Sequence, residues 1–272
     1  MSHSKGDEAF VDAIPEVYER LLVPLIFESH ATDLARRLAA GSPDRVLEIA
    51  AGTGALTRAL AIALPDSAAI VATDLNPPML AQASAIGTRR AVHWQVADAL
   101  KLPFADQSFD AVACQFGVMF FPDRTRAYSE VHRVLRPQGR FLFNVWDRIE
   151  ENEFAAVAES ALEKVFPSSP PRFLSRTPHG YWDSGIIGHE LAAAGFKGNM
   201  EMNTVAARSR AGSPRIPAEA YCLGTPLRND IEARDPSRLA AATDAVAAAL
   251  AQRFGREAVD GKIQARVFTV VR

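Results

Sequence analysis

Apolar positions along the chain follow first a helical period and then a mixed one. Val17, Leu21, Leu22, Leu25 and Ile26 repeat at helical intervals behind Pro15, which suits a first helical turn, so residues 7–40 read as helices. After Gly41-Ser-Pro-Asp44, short apolar runs alternate with amphipathic stretches. Strands are predicted at Arg45–Ile49, Ala69–Thr73, Val92–Val96, Ala111–Phe116 and Arg140–Val145, and helices near 54–64, 77–86 and 123–136. Strand and helix in alternation imply an α/β fold with a parallel sheet covered on its faces.

The rhythm breaks past Trp146. Glu150 to Val165 reads as a helix, followed by the Pro-rich Pro167-Ser-Ser-Pro-Pro-Arg172 and then Gly180-Tyr-Trp-Asp183, the pattern of an insertion over an active face. A helix over Ser184–Ala194, a strand over Asn199–Ala206, an Ala-rich amphipathic helix over Leu239–Phe254 and a last strand over Ile263–Val271 complete the reading. The expected organisation is an arm or lid over 1–40 and a main domain over 41–272, with cap insertions at about 150–183 and 208–260. No internal repeat is visible.

The stretch Val46-Leu-Glu-Ile-Ala-Ala-Gly-Thr-Gly-Ala-Leu-Thr57 carries the chemistry. A strand breaks into small residues and a helix starts near Ala55, which lets the backbone approach a ligand and aims helix N–H groups at it. A dinucleotide fingerprint needs a third glycine where Thr57 stands, and a phosphate-cradling loop needs a Gly-Lys-Ser/Thr ending that is missing here. Glu48 would repel phosphate and accept hydrogen bonds from a cationic amine or its water. A positively charged ligand is favoured.

Bulk properties narrow the class. The chain has 272 residues, a net charge of -2 and a pI near 6.3, so it carries no bulk footprint for nucleic acid or an anionic membrane. The basic pairs Arg36-Arg37 and Arg89-Arg90 read as solvated surface. Two cysteines, Cys114 and Cys222, form no Cys-x-x-Cys pair, and no metal site is expected. The opening Met-Ser-His-Ser-Lys-Gly has no apolar signal core and no stretch is long enough to span a membrane, so a cytoplasmic protein acting on a small molecule is expected.

Two acids complete a nucleoside-sized set. Asp74 closes the second strand at the distance where doubly wound sheets place a ribose-binding acid, although Asp74-Leu-Asn-Pro-Pro also suits a helix cap. Gln95-Val-Ala-Asp98-Ala99 places a second carboxylate at the end of the third strand, able to accept from an exocyclic amine. In this order the residues resemble the class I S-adenosylmethionine-dependent methyltransferases, particularly the small-molecule branch related to ubiquinone and menaquinone biosynthesis. The likeness covers about residues 40 to 147: Val46–Gly54 is similar to the first motif, Asp74 to the ribose acid, Asp98-Ala99 to the adenine-contacting pair, and Phe109–Phe116 to the fourth-strand motif. Ala50 stands where many members have glycine, and Gln138 where the turn before the fifth strand usually reads Pro-Gly-Gly.

The resemblance implies a Rossmann-like, seven-stranded, mostly parallel sheet with helices on both faces, and S-adenosyl-L-methionine as cofactor with S-adenosyl-L-homocysteine as product. It implies that Glu48 and the Ala50-Ala51-Gly52-Thr53-Gly54 backbone hold the methionine moiety and Gln115 lines that end. Asp74 would hold the ribose, Leu75 and Met79 the adenine faces, and Asp98 and Ala99 the adenine edge. Leu75 and Met79 also read as ordinary core. Asn76-Pro-Pro-Met79 follows the second strand rather than the fourth and offers no aromatic face, so it is no base-methylating motif.

Because a sulfonium methyl is already activated, alignment and exclusion of water carry the reaction, and a general base is optional. His30, His93, His132, Asp147, His179 and Tyr181 are candidate bases, and Tyr18 on the arm is better placed, while Tyr18 with Phe27 is expected to close the methionine side of the pocket. The acceptor pocket is expected from the arm, Phe116–Phe121 and the insertion around Phe173–Trp182, whose aromatic content suggests an apolar or aromatic small-molecule substrate. The competing readings are an NAD(P)-dependent oxidoreductase on a similar sheet and a non-catalytic S-adenosylmethionine-binding protein.

Overall fold

Seven strands form one sheet in the order β3-β2-β1-β4-β5-β7-β6, with β1 Arg45–Ile49, β2 Ala69–Asp74, β3 His93–Val96, β4 Phe109–Gln115, β5 Leu135–Trp146, β6 Glu201–Ala211 and β7 Val259–Val271. The computed structural model describes residues 14–272, so the predicted helical stretch before residue 14 lies outside the described residues. β1 pairs in parallel with β2 and with β4, β2 with β3, and β4 with β5. The backbone bonds Arg272 N–H to the Gly139 carbonyl and Asp147 N–H to the Gln264 carbonyl match early residues of β5 with late residues of β7, so β7 runs antiparallel. The chain walks outward from β1 to β3 and returns to β4 beside β1, which leaves a crevice at the carboxyl ends of β1 and β4.

Strands β1 to β4, most of β5 and the parts of β6 and β7 at 201–205 and 265–271 form, with their flanking helices, one compact unit, comprising 29–145, 181–205 and 265–272. Its core gathers Leu34 and Leu38 from helix Glu28–Ala39, Leu56 and Leu60 from helix Ala55–Ala63, and Val46, Ile70, Ala111 and Leu142 from the strands. Burying such a set from water is the main driving term for the unit. Local signals set the helix ends. Pro77 begins helix Pro77–Ile86, which stops at Gly87 with φ +78°, and Asp123 caps helix Arg124–Val134 by accepting from Arg126 N–H at 2.9 Å.

The second compact unit contains 14–28, 146–180 and 206–264. Its helices include Glu153–Val165, Arg215–Gly224 and Leu239–Phe254. The first ten-residue helix here, Tyr18–Phe27, corrects the sequence expectation of ordinary helical winding, because it is a π-helix in which Glu28 N–H bonds the Val23 carbonyl. Pro24 has no N–H to donate and its ring crowds the carbonyl one turn back, and a wider winding relieves both. Five of its residues, Leu22, Val23, Leu25, Ile26 and Phe27, are buried, and Gly224 allows helix Arg215–Gly224 close approach: a side chain there would stand 3.0 Å from Leu22. Among the described residues no helix is long and apolar enough to cross a membrane.

Candidate functional site

The loop after β1 is built from left-handed backbone. Ala50, Gly52 and Gly54 have φ of +54°, +56° and +85°, and the turn is pinned by Ala51 N–H to the Thr73 carbonyl and Gly54 N–H to the Ala51 carbonyl, each 2.9 Å. Gly52 donates its N–H to Asp74 Oδ2 at 2.8 Å, and a side chain at Gly52 would meet no atom within 4 Å, so this backbone faces open space. Ala50 keeps its Cβ because residue 117 has none: a Cβ on Gly117 would stand 2.5 Å from that of Ala50 and 2.8 Å from Cys114 Sγ. Phe116 beside it is also left-handed, with φ +51°, and its N–H bonds Asn144 Oδ1 at 2.9 Å. Strain of this kind gathers where a ligand must be met.

The carboxylates stand at strand ends. Glu48 is 1% exposed and accepts from Thr57 Oγ1 at 2.6 Å, while its other oxygen bonds nothing among the described residues. Burial, aided by the negative charge of Asp74, pushes the Glu48 carboxyl up to about 8. Burial also raises the Asp74 carboxyl. The helix-cap reading of Asp74 needs correction. Asn76 occupies the cap position of helix Pro77–Ile86, and Asp74 Oδ1 instead accepts from Asn76 N–H at 2.8 Å in a local turn. Asp74 therefore braces both the turn after β2 and the loop after β1; Oδ1 accepts a second bond from Asn76 Nδ2 at 3.3 Å, whereas Oδ2, bonded to Gly52 N–H, retains capacity for a further donor.

Asp98 Oδ1 accepts from Leu100 N–H at 2.8 Å, and the residue is exposed beside half-buried Ala99. Leu75 is 52% exposed and Met79 only 3%, so the first presents an apolar surface and the second packs in the core. Val96, register partner of Asp74 and also 52% exposed, adds to that apolar edge. Sequence reasoning missed it, because an apolar residue inside a strand gives no sign of facing outward. Trp94 was missed as well: its ring lies 3.1 Å from where a Gly54 side chain would stand.

The structure thus brings together Glu48, Ala50–Gly54, Asp74, Leu75 and Gln115 on the carboxyl ends of neighbouring strands. Three buried polar atoms there, Glu48 Oε1, Thr53 Oγ1 and Gln115 Oε1, bond nothing among the described residues. Buried polar groups are normally paired, so this cluster fits a ligand that supplies several donors. Among the described residues no group of His, Cys, Asp and Glu could hold a metal ion.

The candidate bases are dispersed. Tyr18 stacks on Phe27, with ring centroids 5.0 Å apart. His30 is 1% exposed and edge-on to Phe116 at 5.5 Å, and burial lowers its imidazole to about 4. Tyr181 shares its hydroxyl with Tyr128, 3.1 Å away, and with Glu190, and burial drives its acidity away from the neutral range. That hydroxyl is occupied in holding the fold. His132 meets Phe196 edge-on, His93 lies exposed on β3, and His179 bonds the Asp147 carbonyl at 2.8 Å.

Residues 47–143 match the methyltransferase-domain family model. The demethylmenaquinone methyltransferase of Thermus thermophilus is 34% identical over 191 residues, covering 66% of this chain and 85% of that one. That of Deinococcus radiodurans is 38% identical over 130 residues, 47% and 54% of the two chains. Phosphoethanolamine N-methyltransferase 2 of Haemonchus contortus, solved with S-adenosyl-L-methionine, shares the fold at TM-score 0.60 and 17% identity over 100% of this chain and 60% of that one. The strand order, the loop after β1 and these matches make the chain a member of the class I S-adenosylmethionine-dependent methyltransferases, enzymes that take S-adenosylmethionine as cofactor.

Proposed function

We propose that this enzyme transfers the methyl group of S-adenosylmethionine to a small, apolar, aromatic metabolite. The observation that carries the acceptor class is the aromatic run in the unit containing the π-helix. Tyr18 stacks on Phe27, whose ring lies 5.9 Å from Trp146, itself 6.1 Å from the His179 ring. A flat apolar acceptor is what such side chains recognise. The demethylmenaquinone methyltransferases among its relatives support the same class.

On the cofactor side we assign Glu48 and the Ala50–Gly54 backbone to the methionine end with Gln115, Asp74 to the ribose, Leu75 and Val96 to the adenine face, and Asp98 and Ala99 to the adenine edge. Met79 supports that face from the core. The bound cofactor supplies an activated methyl group on a sulfonium. The protein's part is to hold the two reactants in line and keep water out, which is worth several kcal/mol. We also assign residues 1–40 and the insertions near 150–183 and 208–260 to acceptor recognition. The acceptor is taken to be a small molecule rather than nucleic acid.

The test is transfer of labelled methyl from S-adenosylmethionine to a panel holding naphthols, quinols, aliphatic acids and amines. Labelling confined to the aromatic members is expected. Labelling confined to the aliphatic ones overturns the assignment.

A further inference from the structure

Asn144 is a polar residue in the otherwise apolar end of β5, between Phe143 and Val145, and it is as fully buried as they are. Its Oδ1 accepts the N–H of Phe116 at 2.9 Å, and its own backbone carbonyl accepts the same N–H at 3.2 Å. Phe116 is thus paired even without the side chain. The amide carries a cost, because Nδ2 is buried and bonds nothing among the described residues, and an unpaired buried donor lowers stability. A leucine would fill the site without that penalty. What the amide oxygen supplies instead is a second hold on one backbone N–H.

That N–H belongs to a residue that needs holding. Phe116 directly follows Gln115, the last residue of β4 and the register partner of Asn144. Its φ of +51° is left-handed backbone, which a side chain with a Cβ seldom adopts. The bend delivers Gly117 against the loop after β1, where a Cβ on Gly117 would stand 2.5 Å from that of Ala50. Ala50 is itself left-handed, at φ +54°, and opens the run that continues through Gly52 and Gly54. A Phe116 relaxed to extended backbone would carry Gly117 off Ala50 and release the start of that run. Asn144, Phe116, Gly117 and Ala50 all lie in the compact unit that holds 29–145.

We infer that Asn144 is a positioning residue for the cofactor: its amide oxygen holds Phe116 left-handed and, through Gly117 and Ala50, keeps the Ala50–Gly54 loop in its binding shape before the cofactor arrives. The inference rests on the assignment of that loop to S-adenosylmethionine made above. Preorganisation of this kind improves affinity without any contact to the ligand.

The experiment titrates S-adenosylhomocysteine into the full-length enzyme by calorimetry and records melting temperature beside it. Asn144→Leu should keep or raise the melting temperature yet bind about tenfold more weakly, the worth of one neutral hydrogen bond. A residue that served stability alone would move both together. In an Ala50→Gly background, which lacks the methyl that Gly117 meets, the same leucine should cost less than about threefold, because effects that run through one contact do not add. Asn144→Asp keeps an oxygen for Phe116 and should bind within about threefold of the unsubstituted enzyme. Unchanged affinity in Asn144→Leu overturns the inference, as does an equal loss with and without the Ala50 methyl, or a folded Asn144→Asp enzyme as weak as the leucine variant. Gly52→Ala, whose side chain would enter the open space at the loop, separates the two claims. Weaker binding there beside unchanged binding in Asn144→Leu removes the positioning role alone, whereas unchanged binding in both removes the loop assignment as well.

Discussion

Ala50 and Gln138 are the residues where this chain departs from the glycine pattern of its family, and both adopt left-handed backbone, with φ of +54° and +66°. A side chain there costs about 1 to 2 kcal/mol that glycine does not. Glycine also loosens the unfolded chain, which takes back up to about 1 kcal/mol. Gln138 is exposed, so nothing else is lost on substitution, and Gln138→Gly should raise stability by about 0.5 to 1 kcal/mol, read as a higher urea midpoint at unchanged slope. Ala50→Gly should gain less, because its Cβ fills the space that Gly117 leaves for it. A lower midpoint for Gln138→Gly would show that the turn is not strained. Sequence made both departures visible, but the partnership of Ala50 with Gly117 joins two loops far apart in the chain and has no local signal.

Helix Arg124–Val134 shows how an element positions a site it does not enter. Arg133 donates to the carbonyls of Leu102 and Phe104 at 2.9 and 2.7 Å and pairs with Asp106 and Glu130, while Glu130 accepts from Leu102 N–H at 2.8 Å. Arg126 adds a bond to the Leu100 carbonyl at 3.1 Å. These bonds hold the segment that follows Asp98, and Arg133 keeps the Glu130 carboxyl below its ordinary value. Arg133→Ala should cost about 2 kcal/mol of stability and weaken S-adenosylmethionine binding, and Lys, lacking the planar fork, should restore less than half. Unimpaired cofactor affinity in Arg133→Ala would dismiss the positioning role.

At the same scale the sequence was informative where periodicity is local. β1 and the helix Leu239–Phe254 have the predicted bounds, and β2 and helix Pro77–Ile86 agree to within a residue. The π-helix was not legible, since Leu21, Leu22, Leu25 and Ile26 suit ordinary winding and only the hydrogen bonds around Pro24 reveal the wider turn. β5 shows the opposite case. Its regular part begins at Arg140 as predicted, and the register shift opposite Phe109–Ala111 reflects the turn through Gln138. The motif residues at strand ends were readable because chemistry and position coincide there. The burial that sets the behaviour of Glu48 and His179 depends on tertiary neighbours, and no spacing encodes it.

At the scale of the whole molecule, buried titratable groups should give the free enzyme a stability optimum close to pH 6.5. His30 and His179 sit near 4 in the fold against about 6.5 when unfolded, so below pH 6.5 the unfolded chain takes up protons that the fold refuses. Stability therefore falls as pH drops from about 6.5 to 4, by about 1.4 kcal/mol per unit for each histidine. Glu48 acts with the opposite sign. Its folded value is about 8 against 4.5 unfolded, so its contribution is complete below pH 4.5 and is lost as pH rises through 8, with the raised Asp74 carboxyl acting in the same direction. Between 4.5 and 6.5 the two histidines outweigh Glu48; above 6.5 only the raised carboxyls, Glu48 foremost, remain. If Glu48 faces the cofactor's cationic amine, binding favours its ionised form, so saturating S-adenosylmethionine should flatten the fall between pH 6.5 and 8 and its affinity should rise up to tenfold per pH unit there. Melting temperature measured across pH 5 to 8, with and without cofactor, checks both limbs. Glu48→Gln should reduce the slope of the alkaline limb without cofactor and remove the pH dependence of affinity, and an alkaline limb of undiminished slope in that variant would assign it to other groups.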